Sequence, residues 1–159
     1  MEFVEDESFE EFYVREYRSV LGIARVLTGD LTRAEDVTHD AFAAALAKWA
    51  EIDNPAGWIR RVVANRARSG WRSRYAEQRA LNRLEAEVQV GKDLPIETEG
   101  FWAEVRRLPN RQAQAVALFY LEDRPVAEIA RILGIEESSV RVHLTRGRRA
   151  LAERLQVDQ

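Results

Sequence analysis

Apolar residues recur at three- and four-residue intervals over much of this chain, the period of helices packed along one face. From Phe9 to about Leu27 the stripe is Phe9, Phe12, Tyr13, Tyr17, Val20, Leu21, Ala24 and Leu27, and the segment TGDLT then breaks it. Thr32 and Glu35 have capping-box spacing and predict the start of a second helix. Its inward stripe is Val37, Ala41, Ala44, Ala45 and Trp49, while Asp36, His39, Asp40 and Ala43 share the outward face. Asn54 and Pro55 predict the cap and first position of a third helix, because the proline ring needs no amide partner there. That helix reads AGWIRRVVANRARSGWRSR, with Trp58, Ile59, Val62 and Val63 as its apolar stripe. Arg61, Asn65, Arg68 and Arg72 recur at i, i+4, i+7 and i+11 on another face.

A second pattern occupies Pro125 to Arg149, PVAEIARILGIEESSVRVHLTRGRR, which has the spacing of a helix-turn-helix. Counted from Val126, the fifth position is Ala130, small enough for two helices to approach, and the ninth is Gly134, suited to the positive φ of the turn. The fifteenth, Val140, faces the core, and Ile129, Leu133, Ile135, Leu144 and Leu151 extend the packed surface. Arg141, Val142, Thr145, Arg146, Arg148 and Arg149 lie on the other face, where they reach phosphates or base edges if the second helix enters a major groove. A helical hairpin with a solvated arginine face has the same pattern, so this segment alone leaves both readings open.

Composition narrows the classes. The chain has 159 residues, 46% of them hydrophobic, with eight Gly, four Pro and no Cys. These values fit one helical domain or two small ones, and they exclude disulfides and thiolate metal sites. His39 and His143 are too few to make a metal site by themselves. The longest apolar run, Ala41 to Ala47, is far short of a membrane span, and the acidic start MEFVEDESFEE is unlike a signal peptide, so a cytoplasmic protein without membrane insertion is expected.

The net charge of −3 conceals a strong segregation. Residues 1–53 carry 5 Lys/Arg against 13 Asp/Glu, a net of −8, and residues 54–83 carry 8 Arg against Glu77, a net of +7. Residues 84–104 hold Lys92 against six acids, and residues 105–159 hold 10 Arg against seven acids. Two basic segments suggest a polyanion bound at two places, with a different task for the acidic front. In the first basic block Asn65 offers a donor and an acceptor to a base edge, with arginines on either side for phosphates. Trp58 reads as a core residue; Trp71 fits either the core or a stack on an unpaired base. The Asp36, His39 and Asp40 face fits simple solvation. A metal-dependent hydrolase built on those three residues lacks a second ligand cluster on another helix.

The strings AEDVTHDAF, NPAGWIRRVVANRARSGWR and RRLPNRQAQAVALFYLEDRPVAEIARILGIEESSVRVHLTRGRRAL occur in that order between Phe9 and Leu155. Together they resemble a bacterial extracytoplasmic-function (group IV) RNA polymerase sigma factor of the sigma-70 family. The resemblance implies an all-α chain of two small helical domains: sigma two over residues 1–80, an acidic linker over 81–99, and sigma four with its helix-turn-helix over 100–159. It implies no enzymatic activity, no metal and no cofactor. Its partners would be core RNA polymerase, through the β′ clamp helices and β flap, promoter DNA as duplex and as melted non-template strand, and an anti-sigma factor of the kind that restrains many members.

Residue roles follow from the same resemblance. Asp36, His39 and Asp40 would dock on polymerase; Asp53, Asn54, Arg61, Asn65, Arg68, Trp71 and Arg72 would bind the minus-ten element, with a flipped base near Asn65. Arg141, Val142, Thr145, Arg146 and Arg149 would read the minus-thirty-five element. The chain departs from the common recognition-helix pattern at Val142, which removes a polar reader but fits a thymine methyl, and at His143, which replaces a usual cation. The end at Gln159 predicts no added C-terminal domain. The free protein is expected to hold its two domains close, because acidic and basic segments attract. A stand-alone dimeric helix-turn-helix regulator is the competing reading; it explains Pro125 to Arg149 but leaves Asn65 and AEDVTHDAF without a task.

Overall fold

Ser8 opens the first helix, its Oγ accepting the Glu11 amide at 3.2 Å, and α1 then runs Phe9–Thr28. Gly29 ends it at φ 76°, a left-handed conformation that costs glycine nothing and returns its amide to Arg25 O. The computed structural model describes residues 6–69 and 96–156. Helix α2 spans Leu31–Ala47 and is capped by Asp30, whose side chain accepts the Thr32 amide at 3.2 Å. The expected Thr32–Glu35 capping box is therefore displaced: the helix begins earlier, and Thr32 lies inside its first turn. A 3-10 turn, Trp49–Glu51, leads to Asn54, which caps α3, Pro55–Arg68, by accepting the Gly57 amide at 3.4 Å.

These three helices pack on one another around Phe12, Val20, Ile23, Leu27, Phe42, Ile59 and Val63. Phe12 and Phe42 rings meet at 5.6 Å, and Trp49 closes the same cluster at 5.1 Å from Phe12. Of the stripe expected on α1, Phe12, Val20, Ala24 and Leu27 are buried and Phe9, Tyr13, Tyr17 and Leu21 half-buried; on α2, Val37, Ala41 and Ala45 are buried and Ala44 and Trp49 half-buried, and Ile23 and Phe42 join the core. Trp58 is half-buried against this core.

The second unit contains α4, Ile96–Arg106; α5, Asn110–Tyr120; α6, Val126–Leu133; and α7, Glu137–Leu155. Helix α4 begins inside the segment expected to be linker, so the boundary at residue 99 falls four residues into a helix. The rest of that linker, and Trp71 and Arg72 in the basic block, lie outside the described residues. Helices α6 and α7 form the helix-turn-helix, with Gly134 at φ 69° and Ala130, Val140 and Leu144 buried between them. Gly147 permits a close crossing of α7 over α5, since an added Cβ would stand 3.0 Å from Val116. The two units are themselves packed together: α1 touches α4 and α5, and α3 touches α6.

The capping geometry predicts that Asp30→Ala loses about 1 kcal/mol of stability, whereas Thr32→Ala, on an exposed side chain that caps nothing, loses less than about 0.5 kcal/mol. Urea denaturation of the two variants checks the order; equal losses would restore the capping box.

Candidate nucleic-acid interface

Helix α7 packs through Val140, Leu144, Gly147 and Leu151, and that stripe turns Arg141, Val142, Thr145, Arg146 and Arg149 outward, all of them exposed. Arg141 makes only an i,i+4 pair with Glu137 at 3.6 Å, which solvent screens. This face has the composition of a major-groove reader, with cations for phosphates, a hydroxyl for a base edge and an apolar Val142. Arg148 leaves the face: its guanidinium lies 4.7 Å over the Phe119 ring and 5.5 Å over Tyr120, a cation–π contact with α5.

His143 is half-buried beside the reading face, and its Nδ1 has no hydrogen-bond partner among the described residues. Burial, then the charges of Arg111 and Arg146, lower its pKa below the ordinary 6.5, so the position is neutral near physiological pH.

On α3 the expected single-strand face is only partly open. Arg61 is exposed, its guanidinium standing over the Gly134 turn of the second unit, where an added Cβ would come within 2.7 Å of Nη2. Asn65 is exposed, yet its Oδ1 accepts from Gln114 Nε2 of α5 at 3.3 Å, and the same amide donates to Ala64 O at 3.0 Å. Arg68 departs from expectation. Only 4% exposed, it donates to Asn110 Oδ1 at 3.0 Å, Arg106 O at 3.0 Å and Leu108 O at 2.8 Å. These three bonds go to the second unit, because Arg68 lies one heptad beyond Arg61 and only about 20° from it on the same face, where the α4–α5 connection covers the helix. Asp53 and Asn54 are exposed at the rim of an open cleft of about 460 Å³, with Lys48, Trp58 and Arg61 along one side and Arg131 and Ile132 of α6 on the other.

The α2 face is solvent-facing, with Asp36, His39 and Asp40 all exposed. The His39 ring stacks on Tyr17 with centroids 5.8 Å apart, and its Nε2 lies 3.2 Å from the Tyr17 hydroxyl. Asp40 faces Arg66 at 4.0 Å, a loose surface pair. Among the described residues no group of three His, Cys, Asp or Glu side chains could hold a metal ion.

The side chain that periodicity overlooked is Arg60. Only 2% exposed, it donates from Nε to Glu122 at 2.8 Å, from Nη2 to Glu16 at 2.7 Å and from Nη1 to Ala56 O at 2.9 Å. Burial opposes its charge, but the hydrogen bonds and attraction of Glu122 and Glu16 prevail and hold its pKa above the ordinary value. The available signal was a charge within an apolar stripe: Arg60 lies between Ile59 and Val63, and Glu16 between Phe12 and Val20.

Against known proteins, residues 12–77 match the family model described as Sigma-70 region 2, and residues 99–151 match Sigma-70, region 4. The probable RNA polymerase sigma factor RfaY of Xanthomonas campestris is 27% identical over 86% of this chain, which spans 38% of that protein's length. The ECF RNA polymerase sigma factor SigM of Mycobacterium tuberculosis is 28% identical over 93% of this chain and 77% of its own. In three dimensions the fold is similar to that of the sigma factor RpoE of Bartonella quintana, solved in complex with the anti-sigma factor NepR. The TM-score is 0.71 at 19% identity, over 95% of this chain and 98% of that one.

Since the folded His143 binds its proton less readily than the unfolded chain, stability is fully present above pH 6.5 and declines as pH falls from there toward the lowered folded pKa. His143→Gln is expected to flatten this decline in urea titrations, and the imidazole NMR titration should have its midpoint below 6.5. A midpoint above that value would refute the assignment.

Proposed function

The chain belongs to the sigma-70 family of RNA polymerase sigma factors, with the two-region organisation of its extracytoplasmic-function members, and on that premise we propose a division of its surfaces. The protein binds core RNA polymerase and directs it to promoters. The exposed Asp36, His39 and Asp40 face of α2 docks on the polymerase clamp. Helix α7 holds upstream duplex through Arg141, Val142, Thr145, Arg146 and Arg149, with Val142 against a thymine methyl. Arg61 and Asn65, with Asp53 and Asn54 at the neighbouring rim, receive the melted strand. Region two extends to about residue 80, and region four begins with α4.

The observation that carries this reading is the occurrence of both family regions in order on one chain, with the outward α7 face exposed and Arg61 and Asn65 of α3 exposed beside it. A stand-alone operator-binding dimer uses only one of those surfaces. RNA synthesis belongs to the core enzyme, and this chain contributes binding energy and placement. It works in the cytoplasm beside the polymerase, and an anti-sigma factor is a further candidate partner that family membership supplies. Among the described residues no helix is long and apolar enough to cross a membrane.

Co-elution with core polymerase, followed by transcription from a genomic fragment library, tests the assignment; absence of both would overturn it. Arg146→Ala should weaken upstream duplex binding by about 1–3 kcal/mol, roughly 5- to 150-fold, with core affinity retained. Asn65→Ala should impair promoter opening more than core binding, and Asp40→Arg should reduce polymerase affinity first. Loss of core binding in the first two variants would refute the division of surfaces.

A further inference from the structure

The exposed imidazole of His39 on α2 is held from one side by α1. Its ring stacks on Tyr17 with centroids 5.8 Å apart and planes 22° apart, and its Nε2 lies 3.2 Å from the Tyr17 hydroxyl. Tyr17 is in turn held from behind, its ring 5.2 Å from that of Tyr13 and 6.1 Å from that of Phe42, which is buried in the core of the first unit. An aromatic path thus leads from the packed interior to a side chain on the α2 surface. Stacking alone would need neither the hydroxyl nor a ring nitrogen within its reach.

The hydroxyl decides which ring nitrogen is left for a partner. A neutral imidazole that accepts a hydrogen bond at Nε2 carries its proton on Nδ1. Burial, then the neighbouring Tyr13 and Glu35, push the Tyr17 phenol above its ordinary 10, so it keeps the proton it donates at physiological pH. In the opposite arrangement Nε2–H would donate to the phenol oxygen and Nδ1 would present a lone pair. Asp36 and Asp40 decide between the two: both are exposed on the same face, and their negative field favours an N–H there over a lone pair.

We propose that Tyr17 is a positioning residue for polymerase docking, fixing His39 so that it offers an Nδ1–H donor beside the carboxylates of Asp36 and Asp40. This rests on the reading of the α2 face as the polymerase-docking surface. The surface that fits it is cationic, to meet the two carboxylates, and carries one hydrogen-bond acceptor opposite His39, a backbone carbonyl or a side-chain oxygen. An imidazole oriented before contact gives up less freedom on binding, so the Tyr17 hydroxyl contributes to affinity through His39.

The chain has two histidines, so long-range nitrogen–proton NMR correlation on the full-length protein reads the His39 tautomer directly. At about pH 8, above the ordinary imidazole value of about 6.5, the spectrum should show the proton on Nδ1. Tyr17→Phe keeps the stacked ring and should shift His39 toward the tautomer mixture of a solvated imidazole. The same substitution should weaken binding to core RNA polymerase about two- to tenfold, the effect of one hydrogen bond. In a His39→Ala background it should cost less than about twofold further, because the residue it acts through is gone. Tyr13→Phe, the same deletion one turn earlier on α1, should change neither readout. A proton on Nε2 in the wild type, or a Tyr17→Phe loss that persists undiminished in the His39→Ala background, would overturn the inference. Absence of core binding by the wild type would overturn the proposed function and this inference with it, whereas full affinity in Tyr17→Phe, beside the loss expected of Asp40→Arg, would overturn this inference alone.

Discussion

A guanidinium taken out of water loses hydration worth several kcal/mol, and Arg60 is compensated because two different parts of the chain deliver carboxylates to it. The planar fork fixes the directions: one nitrogen returns to its own helix at Ala56 O, one meets Glu16 on α1, and one meets Glu122 in the turn after α5. Three elements are therefore registered by one side chain. With its carboxylates absent Arg60 would be an uncompensated buried cation, a loss of about 3–5 kcal/mol in comparable cases. The apolar contacts between regions supply attraction without direction, whereas this pairing sets where region four sits on α3.

That placement makes the two proposed nucleic-acid surfaces unequal. The α7 face is exposed, and the helix packs on α4, α5 and α6 of its own unit. The α3 face is shared with the junction: Arg61 faces the helix-turn-helix turn, Asn65 is hydrogen-bonded to Gln114, and Arg68 is buried. The face proposed for duplex is thus open in this conformation, while the face proposed for the single strand is engaged in internal hydrogen bonds. His143 adds a local detail: burial and the charges of Arg111 and Arg146 disfavour its protonation, so the positive charge of the outward α7 face comes from its arginines.

Much of the fold was legible because its determinants lie within a turn or two of one another. Asn54–Pro55 started α3 as expected, Gly134 turned the helix-turn-helix, the α7 stripe was buried, and those of α1 and α2 were buried or half-buried. Errors arose where two local signals competed or where the partner was remote. Asp30 and Thr32 both had capping chemistry, and the aspartate two residues earlier prevailed. Arg68 shares the face of Arg61, as its spacing indicates, but residues 106–110 of the second unit cover that end of the face, and local spacing does not record such a docking. Helix α4 began within a segment whose acidic composition read as linker.

The sequence by itself determined the helices of the first unit and of the helix-turn-helix, the cap of α3, the segregation of basic charge into two segments and the likeness to a two-region sigma factor, since periodicity, capping and charge depend on residues close along the chain. Only the tertiary structure decided which of those charges are exposed and which are joined. Glu16 and Glu122 lie 44 and 62 residues from Arg60, and no local pattern records a pairing made when separate helices dock.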